Sequence, residues 1–104
     1  MRVVLRRGND QVVTLTGLRT SDTHIYLNAA VVKATLLDSK SRPILSHQNV
    51  SMTYVPDSDG AYEWFVKGST MMLPKSSEYQ LVITATQAGF TYRVVHVVSV
   101  VEGD

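Results

Sequence analysis

The chain contains no cysteine, which excludes a disulfide framework, a thiolate metal site and a thiol nucleophile. Proline and glycine are sparse, at three and six residues, so the chain is neither collagen-like nor a low-complexity linker. No apolar run approaches the ~20 residues of a membrane helix. The opening Met1–Arg7 stretch is too short in apolar residues for a signal-peptide core. The expectation is therefore a soluble chain that stays in the compartment where it is made. Net charge is only +1, which removes the global electrostatic case for nucleic acid, where a pI above ~9 is the expected footprint. Helical periodicity is missing too: no segment sustains a 3.6-residue apolar repeat with caps over ~10 residues, so no substantial helix is expected.

What is present fits a small globular protein. At 104 residues, with 44% hydrophobic and 18% charged residues, residues 1–104 read as one domain with a two-layer core. Charge is uneven along the chain. Residues 1–42 hold seven Lys/Arg (Arg2, Arg6, Arg7, Arg19, Lys33, Lys40, Arg42) against three acids, Asp10, Asp22 and Asp38. Cations of this kind protect a solvated edge strand, or form a patch that meets an acidic partner.

Short β-type runs recur with turn signals between them: 2–6, 11–18, 30–37, 49–55, 61–66, 68–75, and a closing pair at 78–87 and 90–101. The last two flank Ala88-Gly89 and read as a long β-hairpin. Seven to eight strands at this spacing predict an all-β, immunoglobulin-like antiparallel sandwich. Along 78–87, Tyr79, Leu81, Ile83 and Ala85 share one face, with Val82 the apolar exception on the other. Along 90–101, Phe90, Tyr92, Val94, His96, Val98 and Val100 share a face, yet Val95, Val97 and Val101 make the second face apolar as well. Such a strand is central, or covers a partner.

Few residues suggest chemistry. His24, His47 and His96 lie in separate segments without metal-ligand spacing, and His96 reads as a half-buried strand residue. Asp57-Ser-Asp-Gly60 after Pro56 could begin a calcium loop, but Ala61 stands at the next ligand position and no closing glutamate follows, so a tight turn is expected. Gly-x-Ser-x-Gly is absent, and Asp57, Asp59 and Glu63 would need a deep cleft to act as paired catalytic carboxylates. No enzyme activity, cofactor or metal is expected. Tyr62 and Trp64 share one parity and Phe65 the other. Trp64 then belongs to the core, or it forms with Tyr62 an exposed platform for sugar stacking. Met71-Met72-Leu73-Pro74 is a soft apolar turn suited to filling a gap or gripping a partner.

Leu27–Asp38, Ser41-Arg-Pro-Ile44, Gly60-Ala-Tyr-Glu-Trp64 and Glu78–Ala85 together resemble the immunoglobulin-like virion domains of tailed bacteriophages, similar to the N-terminal domain of baseplate upper proteins and to small neck or tail accessory modules. The resemblance spans roughly residues 12–100. It implies Tyr79 as a tyrosine-corner residue and a structural role without catalysis. The chain ends after the sandwich, with no receptor-binding continuation, which favours an accessory piece assembled into a virion in the host cytoplasm. Expected partners are other virion proteins (portal or neck, tail or capsid subunits) and other copies of the chain in the particle, with neither membrane nor nucleic acid. The residues expected at the interface are Arg2, Arg6, Arg7, Met71, Met72, Val95, Val97 and Val101. The second reading is a carbohydrate-binding module using Tyr62 and Trp64.

Overall fold

The closing hairpin follows from its local chemistry. Ser76–Gln87 and Phe90–Val101 are long runs rich in β-branched residues, and Ala88 and Gly89 both take positive φ, at 48° and 86°. Two successive left-handed residues make the turn whose twist matches the flanking strands. The computed structural model describes residues 2–19, 25–44 and 47–103, without the side chains of Arg2, Ser76 and Ser77. Seven strands run through it: β1 (Arg2–Arg6), β2 (Gln11–Leu15), β3 (Val31–Leu37), β4 (Val50–Tyr54), β5 (Tyr62–Val66), β6 (Ser76–Gln87) and β7 (Phe90–Val101).

Their hydrogen-bonded order is β1-β7-β6-β3-β4-β5-β2. β4 turns this continuous ribbon into a sandwich. Val50–Met52 pair with β3, whereas Thr53 and Tyr54 pair with β5, so the strand leaves one layer and enters the other. The fold is an all-β sandwich, with β1, β7, β6 and β3 in one layer and β5 and β2 in the other. Two details differ from expectation. β1 pairs with β7 in parallel, Arg2 against Val97 through Arg6 against Val101, so the sheet is mixed. The strand expected at 68–75 is instead a single 3-10 turn, Gly68–Thr70, followed by an irregular stretch to Lys75. There Gly68 N–H donates to Asp10 Oδ1 at 2.7 Å and Met71 supplies its carbonyl to Gly8 N–H at 2.9 Å. The backbone groups serve loop contacts rather than a ladder.

The period-2 pattern places the core. Val13 and Leu15 of β2 with Tyr62, Trp64 and Val66 of β5 pack against Val32, Ala34 and Leu36, against Leu81, Ile83 and Ala85, and against Leu5, Val98 and Val100. Burying each large side chain contributes about 1.5–3 kcal/mol. Polar contacts close the ends. Tyr79 donates its phenol hydrogen to the Pro74 carbonyl at 2.9 Å, the tyrosine corner of such sandwiches. Asp38 ends β3 by accepting the Lys40 and Arg42 N–H groups on Oδ1 at 2.9 and 3.0 Å. The Arg42 N–H leads the interactions that hold its carboxyl below the usual carboxylate range, against an opposing desolvation. Between β1 and β2 the Gln11 side chain replaces a ladder: Nε2 donates to the Arg6 carbonyl at 2.9 Å and Oε1 accepts the Arg6 N–H at 3.0 Å.

Gly60 sits at φ +71°, and a Cβ there would lie 2.3 Å from the Leu18 carbonyl oxygen. Gly89, at φ +86°, has open space around it. Gly60→Ala is therefore expected to cost more than about 2 kcal/mol and Gly89→Ala only about 1 kcal/mol. Urea unfolding of the two variants checks the order.

Candidate functional site

The residues expected at an interface separate into two groups. Met71 is fully buried, at 0% exposure, and joins the core, because the 3-10 turn before it directs the chain inward. It is removed from the interface, whereas Met72 stands 58% exposed. Arg7 is half-buried and bridges to Glu102 at 3.4 Å; Arg6 is exposed. The Arg2 side chain and the whole of His24 lie outside the described residues. Val101 is partly covered.

Val95 and Val97 do face solvent, at 42% and 45% exposure, and they are joined by Val4 at 48%. The ladders bring these residues together. Val95 lies directly opposite the half-buried Val82 of β6. Val4 of β1 pairs with Ser99, one outward position beyond Val97. The result is a valine stripe across β6, β7 and β1. Around it stand Arg6, the exposed Arg93, and Lys33, which shares the cross-strand row Arg93–Thr84–Lys33. Val4 was legible only in part: β1 reads Arg-Val-Val-Leu-Arg, and nothing local says that it pairs beside β7.

The aromatic residues take the opposite fate. Tyr62 and Trp64 are 1% and 6% exposed, so neither offers a ring face to a sugar, and the stacking platform is corrected to a core pair. The physical reason is parity: Tyr62 and Trp64 pair with Leu15 and Val13 on the inner face. Phe65 points outward, opposite Val12, and both are exposed. Trp64 packs edge-on against buried His47, ring centroids 5.9 Å apart, and Tyr54 packs edge-on against Tyr62 at 5.5 Å. The Asp57–Gly60 segment is a hydrogen-bonded turn, in which Ser58 Oγ donates to the Val55 carbonyl at 2.6 Å and the Tyr54 hydroxyl donates to the Ser58 carbonyl. Among the described residues, no group of three or more His, Asp or Glu side chains converges.

His96 is half-buried and faces a half-open cavity of about 210 Å³ between the layers. This cavity was not anticipated. Its signal lay in the inner-face series Phe90, Tyr92, Val94, His96, which carries more polar character than the Val98 and Val100 that follow. No family model matches the chain, and no curated protein matches it.

Burial holds the His47 pKa below its ordinary 6.5. The unfolded chain therefore takes up a proton in a range where the folded one resists it, and stability is lost as pH falls below about 6.5. Unfolding free energy measured between pH 7.5 and 5 is expected to decline, and in His47→Gln the decline flattens. An unchanged slope in that variant would contradict the assignment.

Proposed function

We propose that this domain is a non-enzymatic assembly module of a tailed-phage particle, acting through protein–protein contacts with portal, neck, tail or capsid subunits and with other copies of itself. The resemblance of its strand pattern to phage immunoglobulin-like domains supports the setting. The observation that carries the binding role is the outward face of β1, β7 and β6. Val4, Val95 and Val97 stand there half-exposed around Val82, on a sheet whose opposite face supplies the core residues Leu5, Leu81, Ile83, Val98 and Val100. Contiguous apolar area rimmed by charge marks an interaction surface. In this reading the chain assembles in the host cytoplasm, and its work is burial of that face, without cofactor, membrane or nucleic acid.

The test is co-sedimentation of the isolated domain with virus particles assembled without it. The native domain is expected to bind. Val95→Glu combined with Val97→Glu is expected to lower the bound fraction about tenfold, since charges at an interface centre remain unpaired. The unfolding midpoint should move little, because both sites already face water. A domain that does not bind particles, or a double variant that binds as well as the native one, overturns the proposal.

A further inference from the structure

β1 covers only part of the edge of β7. Its ladder pairs Arg2 through Arg6 with Val97 through Val101, and among the described residues no strand or isolated bridge pairs that same edge of Phe90–His96. The inner face of this segment is incompletely covered as well. Phe90 is 45% exposed, and Tyr92, Val94 and His96 are each half-buried, whereas Val98 and Val100 beyond them are buried. The cavity of about 210 Å³ lies at the same place, walled by Val3, Val13, Leu15 and Ile83 with Tyr92 and His96. β2, on its far side, pairs only with β5 among the described strands. A free strand edge, an open stretch of core and a cavity thus coincide along one seam, in line with β1.

Size and charge identify what fits. The cavity falls below the ~300 Å³ at which pockets for drug-sized ligands begin, but it suits side chains entering from an extended backbone. An added strand would send alternate residues inward onto Val3, Val13 and Leu15, and the residues between them outward beside Arg93. That outward face is cationic: among the described side chains, β1, β3 and β7 contribute Arg6, Lys33 and Arg93 and no acid, and β6 contributes Glu78 alone. We infer that the Phe90–His96 edge receives an extended segment of a partner protein, with apolar residues at alternate positions and carboxylates between them, as an added strand of the sandwich. This inference rests on the reading of the domain as an assembly module and names the contact by which it would hold a neighbour.

The experiment follows amide hydrogen exchange of the intact chain with synthetic peptides of about eight residues, enough to span the segment at ~3.3 Å per residue. At ~1 mM, an alternating Val/Asp peptide is expected to slow alternate amides of Phe90–His96 about tenfold. A Val/Lys peptide and a Ser/Asp peptide should not do so. Arg93→Glu, a change at an exposed side chain, is expected to reverse the charge preference in favour of Val/Lys. Absence of slowing with Val/Asp, or equal slowing with Val/Lys or Ser/Asp, overturns the inference. A second arm measures exchange of the domain bound to particles. Binding without protection of Phe90–His96 overturns the strand-addition site and leaves the assembly role standing. If the domain fails to bind particles, the assembly role falls, and the peptide arm alone decides the edge.

Discussion

The buried phenol of Tyr62 sets the relation between the two layers. Its ring comes from β5 in the smaller layer, and its hydroxyl donates to the Leu27 carbonyl at 2.6 Å and accepts the Ala30 N–H at 2.9 Å. Those backbone groups belong to the segment that delivers the chain into β3, in the larger layer. The hydroxyl of a residue only 1% exposed has little water to fall back on, so leaving it unpaired costs roughly 1–3 kcal/mol. Only one offset of β3 relative to β5 satisfies both bonds. Since β3 carries β6 by a seven-residue ladder and β6 carries β7, the outward valines inherit their position from this contact. The neighbouring Gly60 turn is fixed to the same segment by its N–H, which donates to Asn28 Oδ1 at 2.7 Å, and to the chain after β2 by its carbonyl, which accepts the Leu18 N–H at 3.0 Å.

β1 and β2 show how a short chain divides its cover between two layers. β1 lies on β7 in one layer, and after a four-residue link β2 lies on β5 in the other. The Gln11 amide spans the link by taking the place of two backbone partners. The strand that seals one corner is therefore unavailable along the rest of the seam. The upper part of β7 is packed shut by Leu5, while its lower part is left with a half-covered inner face. Core closure at Val98 and Val100 and openness at Tyr92 and His96 are two consequences of the same sheet switch.

Much of this was legible in residues and much was not. Alternation in 78–87 and 90–101, with the Ala88-Gly89 turn, was enough for the hairpin, because both depend on neighbours in sequence. The same parity showed that Val95 and Val97 share a face opposite Val98 and Val100. It could not say whether the Tyr62 and Trp64 side of β5 was inside, since an aromatic pair suits either surface and the decision lies with Val13 and Leu15, some fifty residues earlier. Pairing between β1 and β7 was equally hidden: ninety-five residues separate the partners, and a parallel ladder leaves no turn to read. Met71 was misplaced because a soft apolar residue looks the same in a gripping loop and in a plug. The 68–75 run was read as a strand, and the contacts that make it an inward-turning loop, Gly68 to Asp10 and Met71 to Gly8, come from residues some sixty positions earlier.

The composition of β7 explains why its exposure is informative. Val94-Val-His-Val-Val98 is a run of high β propensity without formal charge at neutral His, the kind of segment that stacks with copies of itself when its edge is free. Chains usually blunt such an edge with charge, proline or a bulge. Here Arg93 is the one charged residue in the strand, its partner Thr84 is neutral, and the register shift in β6 falls far away, between Ser76 and Tyr79. The edge is thus guarded by a single cation in the middle of the open stretch. A guard of one sign repels a second copy of the same strand while still admitting a segment that brings the opposite charge. The same residue that limits self-association therefore selects the partner.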